Sequence, residues 1–265
     1  MYTSFQLAKK YIRYYVTASN GNGHGIHSPF VFEFIQKVLT DTTNYNAYTS
    51  IENQRKLLLQ NNDTIEVEDF GAGSNTLKST QRKIKNIAAS SLKPKKFAQL
   101  LFRIVQFYQP NTIIELGTSL GITTCYLAIA NEQAKVYTCE GSSTIAQVAN
   151  QQFDALHIKN ITITQGDFGT TLLPLLQTIT TIDVAFVDGN HRKVPTVAYF
   201  EALLQKANQH TIFIFDDIHW SEEMEAAWQY IQQHTAVTLT IDLFFIGIVC
   251  INPTVKQPQH FTIRY

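Results

Sequence analysis

The sequence predicts an α/β fold: a doubly wound, mostly parallel sheet of seven strands with one antiparallel edge hairpin, preceded by a mainly helical extension. Three observations predict it. From about residue 97, short apolar runs rich in β-branched residues alternate with helical patterns. The last two apolar runs have no helical pattern between them. Hydrophobic residues make up 45% and aromatic residues 12% of 265, enough for a core and unlike a disordered chain.

The elements follow in order. In the extension, residues 1–95, Ser28-Pro29 opens a helix, because Ser is a good N-cap and Pro fits the first helical position. Val31, Phe34, Ile35, Val38 and Leu39 then recur at helical spacing. Residues 96–265 form the regular domain. Phe97–Tyr108 is an amphipathic helix that Pro110 stops, and Thr112–Leu116 is a strand. Helix Ile122–Ala130, strand Lys135–Cys139, helix Thr144–Leu156 and strand Ile161–Thr164 come next. Thr170–Leu176 is a short helix, Asp183–Val187 a strand and Pro195–Ala207 a helix. Thr211–Phe215 is a strand, and Glu222–His234 is a helix with acids at its start, as the helix dipole favours. Val237–Ile241 and Phe245–Ile251 complete the sheet.

Lys+Arg and Asp+Glu are both 21, so the net charge is zero and gives no overall sign of a nucleic-acid or anionic-membrane partner. That zero conceals an asymmetry. Residues 1–110 hold 14 Lys/Arg and 7 Asp/Glu, and residues 111–265 hold 7 and 14. The basic part either docks against the acidic part or attracts an anionic ligand. Cys125, Cys139 and Cys250 lack metal-site spacing and make a poor disulfide framework, so they read as reduced thiols of a cytoplasmic protein. The N-terminal stretch lacks the apolar core of a signal peptide. The longest apolar run, Leu243–Ile251, is too short to span a bilayer.

The strand ends carry the functional signal. Glu115, Glu140, Asp167, Asp188 and the pair Asp216-Asp217 each close a strand, at spacings of 25, 27, 21 and 28 residues. In such sheets ligands bind beyond the carboxyl ends of the strands. Acids there also cap the following helix, which is the simpler explanation for one or two of them. After the first strand runs Glu115-Leu-Gly117-Thr118-Ser119-Leu-Gly121. Its glycines let a ligand approach the backbone, and the next helix offers free N–H groups to an anion. As a dinucleotide fingerprint it fails, since Ser119 and Ile122 occupy glycine positions. As Gly-x-Ser-x-Gly it admits a serine hydrolase with Ser119 as nucleophile, which leaves the other acids unexplained.

The combination of Glu-x-Gly-x-x-x-Gly with an acid ending the second strand, over residues 97–251, resembles the class I S-adenosylmethionine-dependent methyltransferases, whose sheet is Rossmann-like. The resemblance implies that Gly117, Thr118, Ser119 and Gly121 cradle the methionine part of the cofactor and that Glu115 anchors the site from below. Thr123 would donate to the cofactor carboxylate. Glu140, with Gly141 behind it, would bind both ribose hydroxyls. Asp167 and Phe168 would hold the adenine.

Asp188-Gly-Asn-His191 and Asp216-Asp217-Ile-His-Trp220 end the next two strands. The pattern is similar to cation-dependent O-methyltransferases of the sugar and catechol types. It implies a hard divalent cation, magnesium first, held by Asp188, Asp216 and Asp217, which would bind a small-molecule hydroxyl and lower its pKa. Asp188 would also border the cofactor. His191 is the candidate general base, because Asn190, where the sugar type carries an acid, cannot take a proton. His219 and Trp220 read as lining the substrate side. The expected activity is methyl transfer to the oxygen of a small-molecule acceptor, with the extension capping the cleft. A homodimer and a non-catalytic cofactor-binding module remain open.

Other features carry less. Val67-Glu-Asp-Phe-Gly-Ala-Gly-Ser74 resembles a second glycine loop and reads as a turn or lid. His24 and His27 make a thin metal signal, and are read as ordering the Ser28-Pro29 turn or bordering the substrate. The Asn/Asp-Pro-Pro-Tyr/Phe signature of amino-methyltransferases and a Pro-Cys nucleophile are both absent.

Overall fold

A computed structural model of the chain describes residues 1–19, 21, 23, 27–68, 79–252, 255 and 257–265. In chain order the elements are α1 (Ser4–Thr17), α2 (Pro29–Phe34) continuing into a π-helical turn (Ile35–Leu39), α3 (Asn46–Gln60), β1 (Thr64–Glu68), β2 (Ser79–Lys83), α4 (Ile84–Ser91) and α5 (Lys95–Tyr108). Then come β3 (Thr112–Leu116), α6 (Ile122–Ala130), β4 (Lys135–Glu140), α7 (Ser143–Ala155), β5 (Ile161–Gln165), α8 (Phe168–Thr178) and β6 (Ile182–Val187). The chain ends with α9 (Lys193–Leu204), β7 (Ala207–Asp216), α10 (Glu222–Gln233), β8 (Leu239–Asp242), β9 (Ile246–Cys250) and β10 (Gln259–Thr262). Two compact units result: Met1–Asp41 with Thr180–Tyr265, and Thr42–Ile179.

In the unit Thr42–Ile179, β3, β4 and β5 run parallel, with Glu115 opposite Thr138 and Glu140 opposite Gln165. Helix α5 buries Leu101, Phe102, Ile104 and Val105, and ends at Gln109 in the left-handed region, just before Pro110. Tyr45, Tyr48, Phe102 and Tyr126 form an aromatic cluster between α3, α5 and α6. The Tyr126 hydroxyl donates to Glu52 at 2.8 Å. Strands β1 and β2 pair antiparallel, Thr64 opposite Lys83.

In the unit Met1–Asp41 with Thr180–Tyr265, the strand order is β10-β8-β9-β7-β6. β6 and β7 are parallel; β9 runs antiparallel to both β7 and β8. Phe186, Phe200, Phe213 and Phe215 fill the space under α9 and are almost wholly buried. α1 opens with a Thr3–Gln6 capping box and packs Tyr11 and Tyr14 on Phe244.

This is the Rossmann-like α/β arrangement that the sequence predicts; among the described residues the two units contribute three and five such strands, eight where seven are expected. The final pair β8 and β9 is antiparallel as expected, but the edge belongs to β10, which lies parallel to β8. β10 is four residues long with alternating half-buried and exposed positions, so it has no apolar run to read. Ser28 occupies the N-cap position and Pro29 the first helical one, yet the Ser28 side chain makes no capping bond. Val31, Phe34, Ile35 and Val38 are buried as the periodicity requires. The three cysteines are free and buried. Among the described residues no helix is long and apolar enough to cross a membrane.

Candidate functional site

The turn after β3 is folded onto the end of β4. Gly117 and Thr118 both donate their N–H to the Cys139 carbonyl, at 3.0 and 3.1 Å, and Gly121 donates to Thr118. Gly117, Ser119 and Gly121 have φ of 111°, 49° and 83°, so three of five consecutive residues lie at positive φ. At Gly121 a Cβ would stand 2.8 Å from the Phe153 ring and 3.0 Å from Ala149 Cβ. Glycine is therefore required at 121 by packing of the α6 start against α7. No side chain caps that helix start, and Thr123 lies buried in its first turn.

Beneath the turn lies a buried polar chain. The Glu115 carboxylate is fully buried and accepts from the Thr124 and Thr138 hydroxyls, at 2.5 and 2.6 Å on one oxygen. Thr138 Oγ1 is 2.6 Å from Thr118 Oγ1. The single Thr138 proton goes to Glu115, so Thr118 donates the bond between the two hydroxyls. Glu115 thus fixes the turn from below through Thr138 and Thr118. Sequence reading missed Thr124 and Thr138. A threonine in register with the acid, on a neighbouring apolar strand, is the signal for the second.

Glu140 faces the same turn. Its two oxygens accept from Ser119 N–H at 2.8 Å and Ser142 N–H at 3.0 Å. Burial raises its pKa, while the N–H groups of Ser142, Ser119 and Gly141 oppose the rise. The carboxylate is therefore held in one orientation at the end of β4. The structure brings Glu115, Gly117, Thr118, Ser119 and Glu140, with its neighbour Gly141, into one hydrogen-bonded group. Asp167 is different. It is the N-cap of α8, and one of its oxygens accepts from Gly169 N–H at 2.8 Å. Helix capping explains this acid, and Phe168 follows it half-buried as the first residue of α8. The Ser119 hydroxyl meets Ser91 Oγ at 3.0 Å; this partner is not an imidazole, so the contact gives a Gly-x-Ser-x-Gly hydrolase no support.

The other candidate residues belong to the second unit. Val187 pairs with Phe215, so Asp188 and Asp216 follow side by side on neighbouring parallel strands. Asp216 is buried. Asp217 lies at φ 53° and donates its N–H to the Phe245 carbonyl at 2.7 Å. Asn190 and His191 are also at positive φ, 68° and 34°, in a loop whose strain marks it as a candidate for function. The Asn190 amide is held by Tyr199 and Arg192, and His191 Nε2 stands 3.6 Å from Asp188 Oδ1. Among the described residues no three or more His, Cys, Asp or Glu side chains gather to hold a metal ion.

His219 has a different place from the one expected. Its Nδ1 is 3.0 Å from Glu225 and its Nε2 2.8 Å from Asp242, and its ring stacks on Phe244. Burial lowers its pKa, but both carboxylates raise it and prevail. The same Glu225 accepts from Tyr2 at 2.7 Å and Lys10 at 3.0 Å. His219 is an anchor for α1, and Trp220 receives Tyr2 N–H on its carbonyl. His24 and residues 69–74 of the second glycine loop lie outside the described residues.

Residues 114–218 match the model of a family described as a methyltransferase domain. That match spans 105 of the 265 residues, and over it the chain is similar to a methyltransferase domain. A search of curated proteins finds no match. The solved structures that this methyltransferase fold is similar to include an O-methyltransferase from Bacillus cereus in complex with SAH, at 18% identity and TM-score 0.56, covering 83% of this chain and 97% of that one. An SAH-bound methyltransferase from Podospora anserina, PaMTH1, has 9% identity and TM-score 0.58, covering 95% and 97%. The O-methyltransferase TomG of Streptomyces achromogenes, in complex with SAM, has 18% identity and TM-score 0.53, covering 61% and 82%. At these identities the likeness concerns the fold.

Proposed function

We propose that this methyltransferase transfers a methyl group from S-adenosylmethionine to a hydroxyl oxygen of a small molecule, with residues 1–95 choosing the acceptor and residues 96–265 carrying the reaction. The observation that carries the reading is the Glu140 carboxylate, half-buried at the end of β4 and oriented by the N–H groups of Ser119 and Ser142. Each carboxylate oxygen has two acceptor sites, so a carboxylate fixed in this way can also accept from the two hydroxyls of a ribose. The SAH and SAM complexes of the similar structures support the same cofactor.

The cofactor supplies an electrophilic methyl group on a sulfonium. The protein's part is to hold it, exclude water and take the acceptor's proton. Gly117 to Gly121 bring backbone close to the bound methionine moiety. Thr123 and the uncapped start of α6 would hold its carboxylate. His191, whose Nε2 stands 3.6 Å from Asp188 Oδ1, would be the base.

A divalent cation is the finer part of the reading. Asp188, Asp216 and Asp217 have the oxygen chemistry magnesium takes, but they do not gather as a ligand set among the described residues. No step is assigned to a metal.

The test incubates the full chain with S-adenosylmethionine labelled on its methyl and a panel of hydroxyl compounds. Label on an oxygen, lowered at least tenfold by His191→Ala, is the expected result. Label on nitrogen or carbon, or none on any compound, contradicts it. Loss of transfer under chelation, restored by magnesium, would support the cation; unchanged transfer would remove it.

A further inference from the structure

We propose that the methyl acceptor is anionic and that its phosphate or carboxylate group seats in a cavity between β1, β2 and α4. The assignment of this group to the acceptor rests on the function proposed above. The cavity measures about 430 Å³, within the range of about 300–1,000 Å³ typical of small-molecule sites. Gln81, Arg82, Lys83 and Asn86 line it, with Thr64, Ile87 and Ser90. A lining with two cations and two amide residues has the donor chemistry that an anion takes, and long Arg and Lys side chains can reach it from either face of the strand. Among the described residues neither Arg82 nor Lys83 is paired with a carboxylate; Arg82 stands opposite Ile65 and Lys83 opposite Thr64 on β1.

The sequence concentrates the charge here. Residues 70–114 contain eight Lys/Arg and no Asp or Glu. An acid-free stretch of that length adds positive charge around α4, while the carboxylates of the paired strand, Glu66 and Glu68, stand opposite Gln81 and Ser79.

Both walls of the cavity are tied to the candidate cofactor site. On the α4 side, Ser91, next to Ser90 of the lining, bonds Ser119 of the glycine turn at 3.0 Å. On the β1 side, the Glu66 carbonyl accepts from the Thr144 hydroxyl, and Thr144 also meets Ser142, whose N–H holds Glu140. A ligand gripped by Arg82 and Lys83 is therefore placed beside the turn proposed to bind the methyl donor. This is where an acceptor has to lie for its hydroxyl to reach the methyl group.

The test titrates inorganic phosphate, and separately acetate, into the full chain and into the double variant Arg82→Gln/Lys83→Gln, with S-adenosylhomocysteine binding measured on both. Both residues are exposed, so the variant keeps its fold, and unchanged S-adenosylhomocysteine affinity verifies this. The expected result is saturable binding of at least one anion, weakened about tenfold or more in the variant. The anion that saturates identifies the acceptor's group. Failure of both anions to saturate, or equal affinity in the variant, overturns the proposal. If the wild-type chain fails to bind S-adenosylhomocysteine, the methyltransferase reading falls with the acceptor assignment, whereas loss of anion binding alone leaves that reading intact.

Discussion

At Glu140, burial and hydrogen bonding pull in opposite directions. Burial disfavours its charge and the backbone N–H groups favour it. Its place at a strand end was legible from spacing, while the ribose-binding role expected of it comes from the resemblance. What surrounds it was not legible, since Ser119 and Ser142 reach it through backbone N–H groups that side-chain identity does not encode. Asp167 shows the opposite case. Its place at a strand end was equally regular, and the structure uses it to cap α8. Gly121 was read as part of a ligand cradle, and its immediate reason is the Phe153 ring. Gly121→Ala combines a left-handed φ with a Cβ 2.8 Å from that ring. The variant is expected to lose about 1–3 kcal/mol of stability, seen as a lowered thermal midpoint. A midpoint equal to wild type would show that α7 yields freely at this contact.

Among elements, the strands with apolar runs and the helices with caps were readable, within a few residues at each end. Those that were not readable lack such signals. β10 has no apolar run, and the π-helical turn at Ile35–Leu39 keeps the spacing of an ordinary helix. The anchoring of α1 was hidden for a different reason, because Tyr2 and Lys10 meet Glu225 across more than two hundred residues of chain. This anchor makes stability depend on pH. His219 has a raised pKa in the folded chain, so its contribution is complete below the unfolded value of about 6.5 and is lost as pH rises through the folded value. For Glu225, burial raises the pKa but the bonds from Tyr2, Lys10 and His219 prevail and lower it. Its contribution is present above about 4.3 and is lost as pH falls through the folded value. The thermal midpoint is therefore expected to decline as pH rises above about 6.5, and His219→Gln to flatten that decline. An equal slope in wild type and variant would show that the clamp contributes nothing.

For the whole molecule, the zero net charge was the least informative number and its distribution the most. The basic excess of residues 1–110 includes the acid-free stretch that lines the cavity beside α4, while the acidic excess of residues 111–265 includes the strand-end carboxylates. The chain's two ends also come together within one unit. Ser19 bridges Ile263, and the Tyr14 hydroxyl donates to the Ile263 carbonyl. Fold class and the glycine turn after β3 were legible because strand–helix alternation and glycine placement are local. The cavity proposed for the acceptor was not, because it depends on which residues three separate elements bring together. The central claim is that Glu140 and the Gly117–Gly121 turn bind S-adenosylmethionine. Isothermal titration of S-adenosylhomocysteine into the wild-type chain and Glu140→Ala tests it most directly. The account predicts saturable binding at one site per chain, weakened at least tenfold in the variant. No binding by the wild type, or equal affinity in the two, would contradict it.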